Sequence, residues 1–435
     1  MSSPSFRAII VLVLASSLVC SFASPAFAAP GDLDSSFSGD GKVTTNFTRR
    51  VDVASGMALQ PDGKIVTAGV AGAGGSNPKF ALARHNTDGT LDSTFSSDGK
   101  VTTDLTPRLD GAHDMTIDGT GRIVAAGVVG IGGSDPRFAL VRYNPDGSLD
   151  TSFSGDGKVI TNFSRHYDSA RAVAIDPDGK IVVAGTVNWG PNPNFGVARY
   201  NPDGSLDTSF SGDGKVTIDV SGRSDNVFEI VIQSDGKIVV AGEGGFGRAR
   251  TDSKFALVRL TDAGALDATF STDGKVMTQF TRRFDGAFGV AVDGTNRIVA
   301  VGFAGAWVNK RFALARYSPN GSLDTSFGGD GKVITDFTRL HDEAIDVSFQ
   351  QDEKILVGGE AGYRLNRAAN SRFALARYNT NGSLDQSFSG DGKLATNFTR
   401  KEDGASRILA QQDEKIVAAG YAAGGATFAI ARYLP

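Results

Sequence analysis

The stretch NPDGSLDTSFSGDGKV fills residues 144–159 and returns, letter for letter, at residues 201–216. Close variants recur along the chain, so that its Leu-Asp pair begins at Leu33, Leu91, Leu149, Leu206, Leu266, Leu323 and Leu384. A catalytic loop is usually needed once, whereas a structural joint is needed in every unit of an array. Because self-similarity at a fixed period marks a repeat architecture, the stretch predicts seven repeats of about 58 residues.

Each repeat resolves into four strand-like runs. In the third repeat these runs are residues 157–163, 170–176, 180–185 and 195–201. The sequence Pro-Asp-Gly at 177–179 predicts a tight turn between the second and third runs. The third run, KIVVAG, is apolar without alternation, so we expect it to be buried on both faces of a sheet. No long stretch has helical periodicity, and the pattern therefore indicates an all-β fold.

Four strands per repeat describe one blade of a β-propeller. The chain begins with an outer-strand run at 41–47 and ends with a third-strand run at 428–433. We therefore predict an all-β, seven-bladed β-propeller with four antiparallel strands per blade, forming a single domain at residues 29–435. In this prediction the N-terminal strand completes the last blade and closes the ring, which leaves no open sheet edge there. A linear β-solenoid is the alternative, although its coils are usually shorter.

The recurring motifs carry a family resemblance. The pattern LDxSFSGDGKV … PDGKIVVAG … FALARYNPDGS resembles the delta-60 repeat of bacterial secreted and surface proteins, over residues 31–435. The resemblance implies a β-propeller-like fold. It implies no established activity, substrate or catalytic residue, so none is carried over to this chain.

The N-terminus has the features of a secretion signal. Arg7 precedes an apolar run at 8–19 that is too short to span a bilayer, and Ala-Phe-Ala at 26–28 matches a cleavage site. We expect residues 1–28 to be removed and the chain to be secreted. The single cysteine, Cys20, lies in this segment, so we expect a mature chain held by its core without disulfides. No later segment is apolar enough for a membrane helix.

The repeated stretch suits a joint between strands, with Leu206 and Phe210 predicted to plug gaps between blades. Its oxygen-bearing residues at alternate positions are Asn201, Asp203, Ser205 and Asp207. They allow a calcium site, and hence a calcium-stabilised adhesion module, as an alternative. An EF-hand would need Gly at its sixth position and an acidic ligand at its twelfth, where this chain has Leu206 and Gly212. A structural turn is therefore favoured, and no other cofactor or metal is predicted.

Each third strand ends in an Arg that we expect to pair with the Asp of the following joint. The predicted pairs include Arg142 with Asp150, Arg199 with Asp207 and Arg316 with Asp324. A buried ion pair that recurs in every blade is more often architecture than a functional site.

One face of the ring is predicted to be basic, although the formal net charge of the chain is −4. Each connection from an outer strand to the next inner strand contains at least one Arg. Loops between second and third strands on the same face vary in length and add cations and aromatics. Variable loops on a constant frame are where binding is usually placed. The candidate binding residues are Trp189, Arg248, Arg250, Trp307, Lys310, Tyr363, Arg364 and Arg367.

An Asp precedes each inner strand, at Asp52, Asp110, Asp168, Asp225, Asp285, Asp342 and Asp403. These residues could ring the channel mouth and hold a cation, but such an Asp more often caps a turn by accepting backbone hydrogen bonds. The four histidines occupy different repeat positions, so no metal cluster is predicted. Tyr167, His166, His341 and the aspartates could meet at the channel mouth of an enzyme. Departures from the repeat pattern, however, fall mostly in the loops, and an enzyme is disfavoured.

The favoured hypothesis is a secreted, monomeric binding or scaffold protein that recognises an anionic glycan or other cell-envelope polymer, or a protein partner, through the basic face. A hydrolase or lyase with its site at the channel mouth is the alternative from a different class. We expect no membrane span and no specific nucleic-acid partner.

Overall fold

The computed structural model describes residues 28–133, 135–190, 192–246, 252–306, 309–363 and 370–435. These residues form seven four-stranded antiparallel sheets. The predicted all-β, seven-bladed propeller is therefore confirmed. The ring also closes as predicted, because the first strand pairs antiparallel with the last, joining Lys42 to Ala431 and Thr45 to Phe428.

The strands follow one another in four roles: inner, second, third and outer. The first half of the chain contributes β1 (Lys42–Thr45), β2 (Val51–Leu59), β3 (Ile65–Ala73), β4 (Lys79–His85), β5 (Lys100–Thr103), β6 (Leu109–Ile117), β7 (Ile123–Ile131), β8 (Arg137–Tyr143), β9 (Lys158–Thr161), β10 (Tyr167–Ile175), β11 (Ile181–Trp189), β12 (Asn194–Tyr200) and β13 (Lys215–Ile218). The second half contributes β14 (Ser224–Ile232), β15 (Ile238–Phe246), β16 (Lys254–Leu260), β17 (Lys275–Thr278), β18 (Phe284–Val292), β19 (Ile298–Ala306), β20 (Asn309–Tyr317), β21 (Lys332–Thr335), β22 (His341–Phe349), β23 (Ile355–Tyr363), β24 (Arg372–Tyr378), β25 (Lys393–Thr396), β26 (Gly404–Ala410), β27 (Ile416–Ala422) and β28 (Thr427–Tyr433). Blade one is β2 to β5, the next five blades follow in fours, and blade seven is β26 to β28 with β1.

The hydrophobic core lies between adjacent blades. The second strands are buried on both faces as predicted, and Ile181, Val182 and Val183 of β11 are at most 2% exposed. The Phe of each joint is fully buried, and Phe95 packs in one cluster with Val66 of blade one and Ala125 of blade two. The joint Phe thus plugs the gap between blades. Leu206, by contrast, is only partly buried at the margin of its cluster, so the plug is the Phe alone.

A glycine in each second strand allows the inner strand to bulge towards the ring centre. A Cβ atom on Gly185 of β11 would lie 2.2 Å from the carbonyl oxygen of Ser169 on β10. The equivalent Gly69 would meet the oxygen of Val53 at 1.9 Å. Such distances exclude any side chain. The strand register shifts at this point, and the glycine thereby fixes the bulge that presents inner-strand residues to the channel.

The joint that follows each third strand is locked by the predicted Arg–Asp pair, which the structure confirms. Arg142 Nε lies 2.8 Å from Asp150 Oδ2, and the guanidinium lies 4.5 Å from the ring centroid of Phe153. Arg142 also donates a hydrogen bond to the backbone oxygen of Pro202, in the joint of the next blade. The repeated stretch is therefore an interblade joint, and all seven blades use it: the pairs are Arg84–Asp92, Arg142–Asp150, Arg199–Asp207, Arg259–Asp267, Arg316–Asp324, Arg377–Asp385 and Arg432–Asp34.

These joints predict a steep loss of stability in acid. Burial alone would raise the pKa of the joint carboxyls, but hydrogen bonds from the Ser or Thr two residues on, together with the paired Arg, outweigh it. The pKa of Asp34 and of Asp385 is therefore lowered to about 2, and the other five are also lowered. A carboxyl group whose pKa is lower in the folded than in the unfolded state stabilises the fold at pH values above its unfolded pKa, which is near 3.8.

We expect the melting temperature to stay constant above about pH 4. It should fall as the pH drops towards about 2, where these carboxyl groups gain protons. Thermal unfolding followed by circular dichroism between pH 6 and pH 2 measures this. Melting temperatures that stay level between pH 4 and pH 2 would show that the joints do not hold the blades together.

Candidate functional site: the turn face and the ring centre

The turns from outer to inner strands lie on one side of the ring, which we call the turn face. Each of the seven Asp residues before an inner strand is at most 1% exposed and sits inside its own turn. Asp52 accepts hydrogen bonds from the backbone N–H groups of Phe47, Thr48 and Gly72, each at 2.9 Å, and from the Thr48 hydroxyl at 2.8 Å. The same cap recurs in the other six turns. The carboxylates therefore rigidify the turns and are not presented to the channel.

The capped turns carry exposed cations, which we call the arginine crown. Its members are Arg49, Arg50, Arg108, Arg165, Arg223, Arg282, Arg283, Arg339, Arg400 and Lys401. Every blade boundary contributes at least one of them. Within the described residues, only Arg223 forms an ion pair, with Asp252 at 3.3 Å. Arg50 and Arg108 donate hydrogen bonds to the backbone oxygens of Gly74 and Gly132, and these bonds orient them without neutralising their charge.

The cations on the opposite face are arranged differently. Each turn between an inner and a second strand carries one Lys or Arg, and each of these lies within ion-pair distance of an Asp. The pairs are Lys64–Asp92, Arg122–Asp150, Lys180–Asp207, Lys237–Asp235, Arg297–Asp293, Lys354–Asp385 and Lys415–Asp34, at 2.6 to 3.3 Å. Each cation of those turns is thus paired with a carboxyl group, whereas most crown cations are not.

The candidate binding residues are placed unevenly. Trp189 ends β11, is 46% exposed, and lies edge-on to Tyr167 with ring centroids 5.8 Å apart. Tyr167 follows the crown residue Arg165 by two positions in the sequence. Lys310 is turned inward, with its Nζ 2.5 Å from Glu343 Oε1 and 3.7 Å from the centroid of the Phe303 ring. Lys310 is therefore engaged and is not a free surface cation. Arg248, Arg250, Trp307, Arg364 and Arg367 lie outside the described residues.

Tyr363 lies in a cleft between blades six and seven, and the sequence analysis did not predict this cleft. The cleft has a volume of about 350 Å³ and is lined by His341, Glu343, Glu360, Tyr363, Glu402 and Tyr421. Three carboxyl groups thus converge on one sector of the turn face. We call this the acidic cleft. The sequence held one signal for it, because only the second strand of blade six has Glu at the position of Glu360 together with Glu at the inner-strand position of Glu343.

The ring centre holds a second charged cluster that sequence reasoning missed. Arg407 of blade seven reaches across the channel, with its Nη2 2.8 Å from Asp114 Oδ1 of blade two and its Nη1 3.0 Å from Glu229 Oε2 of blade four. Asp346 of blade six accepts the backbone N–H of Ile408 at 2.8 Å, beside the same arginine. Burial raises the pKa of Glu229, Arg407 opposes this effect, and Asp114 and Asp346 add to it. One side chain thus ties three distant blades together.

The residues at the inner-strand bulges differ from blade to blade. At one bulge position the chain has Ser55, His113, Arg171, Phe228, Phe288, Ile345 and Ser406. At the next it has Gly56, Asp114, Ala172, Glu229, Gly289, Asp346 and Arg407. The repeats thus depart from one another at these inner-strand positions as well as in the loops. An alignment of the seven inner strands would have revealed this variation, because the position directly before it is Ala in six blades and Val227 in the other.

The proposed meeting of His166, His341 and Tyr167 at a channel mouth does not occur. His166 is exposed in a turn of blade three, whereas His341 lines the acidic cleft in blade six. His113 lies at the ring centre, where its Nδ1–H donates to the backbone oxygen of Ala170 at 2.7 Å. His85 is fully buried, with Nε2 2.8 Å from the hydroxyl of Thr45. Each histidine thus has a separate environment.

The carboxylates considered for calcium have protein partners. Asp203 Oδ1 accepts the backbone N–H and the hydroxyl of Ser205, and Asp207 Oδ2 accepts Arg199 Nε and Lys180 Nζ. Throughout the described ranges, no three His, Cys, Asp or Glu side chains are grouped to hold a metal ion. The same part of the chain contains no helix that is long and apolar enough to cross a membrane.

Comparisons with known proteins agree with this architecture. Six segments match the family described as "Domain of unknown function (DUF5122) beta-propeller", namely residues 60–95, 119–153, 177–210, 233–270, 294–327 and 350–388. Each segment ends at the Phe of a joint. No curated protein matches the chain.

Solved propellers share the fold at low identity. A catalytically inactive virginiamycin B lyase from Staphylococcus aureus with quinupristin is 12% identical, with a TM-score of 0.53 over 91% of this chain and 99% of that chain. Sqt1 from Chaetomium thermophilum, bound to the N-terminus of a ribosomal protein, is 13% identical, with a TM-score of 0.52 over 90% and 98%. At such identity the likeness shows the fold alone. The chain is thus a member of a β-propeller repeat family, with seven blades made from one repeated unit.

Proposed function

We propose that this chain is a secreted binding protein of the delta-60 repeat type, exported after cleavage behind Ala28, whose arginine crown holds an anionic polymer of the cell envelope. The observation that carries the proposal is the contrast between the two faces. In the turns between inner and second strands on the opposite face, each Lys or Arg is paired with an Asp, whereas the crown cations are exposed and, apart from Arg223, form no ion pair within the described residues. The class of ligand that satisfies such a surface is a polymer with repeated carboxylate, sulfate or phosphate groups.

The crown suits a polymer better than a small anion. A guanidinium binds carboxylate or sulfate through two parallel hydrogen bonds, which an ammonium cannot do. Exposed pairs are individually weak, at about 0–1 kcal/mol. A chain that touches several blades at once gains from effective concentration, because each further contact forms within the same complex.

The capped turns reduce the cost of binding. Thr48 donates to Asp52, and the backbone N–H of Arg50 donates to the Thr48 hydroxyl at 3.0 Å, so the turn has its shape before a ligand arrives. Preorganised donors lose less entropy on binding. Trp189 adds an exposed aromatic surface in blade three, in contact with Tyr167, on which a sugar ring can stack.

The test is capture of the mature chain on immobilised polygalacturonate, sulfated dextran and uncharged dextran. We expect retention on the two anionic polymers alone. Replacing Arg108, Arg165, Arg282 and Arg339 with serine should weaken retention at least tenfold, since three boundaries lose their only crown cation and a fourth keeps only Arg283. A matched variant with Lys64, Lys180, Lys354 and Lys415 replaced by serine removes the same charge from the opposite face. Equal losses of retention in the two variants would show that retention depends only on the net charge of the protein, which would refute a binding site in the crown.

A further inference from the structure

The acidic cleft contains polar atoms that lack partners. His341 is 5% exposed, yet its Nε2 makes no hydrogen bond within the described residues, and it lines the cavity. Glu360 Oε1 is likewise buried and makes no hydrogen bond of normal geometry there; the hydroxyl of its buried neighbour Ser371 makes none either, while Glu360 Oε2 accepts the Tyr421 hydroxyl at 2.9 Å. Buried acceptors of this kind are costly unless a donor reaches them. Two acceptors that face one small cavity therefore point to a ligand that donates.

The charge of the cleft defines the ligand further. Glu343, Glu360 and Glu402 supply three carboxyl groups, of which Glu343 is paired with Lys310. Burial, followed by the positive charge of Lys310, lowers the pKa of His341, which leaves its imidazole neutral and able to accept a hydrogen bond. The cleft is thus an acceptor-rich, anionic pocket with two phenol rings, those of Tyr363 and Tyr421.

A metal ion does not fit this arrangement, because the described side chains include no group of three ligands placed to hold one. An organic cation fits better. A primary ammonium has three donors, prefers carboxylate and imidazole acceptors, and is attracted by aromatic rings. The cavity volume of about 350 Å³ lies at the small end of ligand pockets and suits a compact molecule or one side chain.

We propose that the acidic cleft binds a primary ammonium group, with Glu360 Oε1 and His341 Nε2 as its acceptors and Tyr363 and Tyr421 as its walls. This site is independent of the arginine crown. The two together would let one face of the protein engage anionic and cationic groups of a zwitterionic surface at separate positions.

Binding should depend on pH through Glu360. Burial raises its pKa to about 7; the hydroxyls of Tyr421 and Ser371 oppose the shift, and the carboxyls of Glu343 and Glu402 add to it. His341 on β22 and Glu402 ahead of β26 complete the titratable groups around it, and Lys310 on β20 faces them through Glu343. A cation binds the ionised carboxylate, so affinity should rise about tenfold from pH 6 to pH 8 as Glu360 loses its proton.

The probe is butylammonium, with n-butanol as the uncharged analogue of the same shape, and calorimetry of the full mature chain measures the dissociation constants. We expect butylammonium to bind at least tenfold more tightly than butanol at pH 8. Glu360→Gln should abolish most of this preference and flatten the pH dependence. Glu353→Gln, on the exposed opposite face, is the matched control and should bind as the wild type does.

Equal binding of butylammonium and butanol would overturn the proposal, as would a Glu360→Gln variant that retains both affinity and pH dependence. A melting temperature for each variant shows that the fold persists. A crown variant limited to Arg108 and Arg165, whose turns lie in blades away from the cleft, leaves ammonium binding intact under this proposal, so the two sites succeed or fail separately. A lysine-bearing peptide compared with butylammonium then distinguishes a protein side chain from a free amine as the source.

Discussion

Replacing Arg407 with methionine is expected to destabilise the fold by about 3–5 kcal/mol, the usual cost of removing one partner from a buried ionic network. The substitution leaves the carboxyl groups of Asp114, Glu229 and Asp346 close together at the ring centre without a cation. Their protonation is then favoured in the folded state, so the loss should be larger at pH 8 than at pH 6. Urea unfolding at the two pH values measures both effects.

Two further variants make the Arg407 result interpretable. Adding Asp114→Asn, Glu229→Gln and Asp346→Asn to the Arg407→Met variant removes the stranded charges and should recover much of the stability. Arg165→Met removes an exposed arginine instead and should change the free energy of unfolding by less than about 0.5 kcal/mol. If Arg407→Met is as mild as Arg165→Met, the central cluster does not hold the ring together.

Deleting residues 29–46 is expected to abolish cooperative folding. The deletion removes β1, the fully buried Phe37 and the partner of Arg432. Loss of a buried Phe and of a buried ion pair each cost about 3–5 kcal/mol, which together approach the whole stability of a typical domain. The edge of β28, buried along its whole length, would also be left unpaired and open to aggregation. Size-exclusion chromatography and a thermal scan detect the change.

A circular permutant is the matched control for the deletion. The chain ends already run side by side, because Gly31 N–H donates to Leu434 O and Leu434 N–H donates to Asp32 O, at 3.0 and 2.9 Å. Moving residues 29–46 behind Pro435 through a short linker keeps every contact of β1 and should restore a monomeric, cooperatively unfolding protein. A deletion variant that unfolds like the permutant would contradict ring closure by β1.

The parts of the fold that could be predicted from sequence are those that repeat. The joint, its Phe plug and its Arg–Asp pair occur in every blade. The periodicity of the sequence was therefore enough to identify these residues and to predict what they contact. Ring closure followed from the incomplete set of strands at the two chain ends. These features depend on local patterning, which the seven copies reinforce.

The features that could not be predicted are those that occur once. Arg407, Asp114 and Glu229 lie far apart in sequence, and only the curvature of the ring brings their blades to a common centre. The acidic cleft likewise depends on contact between blades six and seven, where Tyr421 reaches Glu360. Sequence showed the Arg of the crown turns and also favoured a capping role for their aspartates, which the hydrogen bonds to Asp52 illustrate.

The central claim is that the crown binds a polyanion, and the most direct test is the salt dependence of that binding. The association constant for sulfated dextran would be measured from 50 to 300 mM salt for the wild type and for the variant with Arg108, Arg165, Arg282 and Arg339 replaced by serine. On nucleic acids each neutralised phosphate adds about 0.7–0.9 to the slope of log K against log salt, and we expect a similar order here. We expect a steep negative slope that becomes shallower by about one unit for each crown arginine that contacts the polymer. An unchanged slope and affinity in the variant would contradict it.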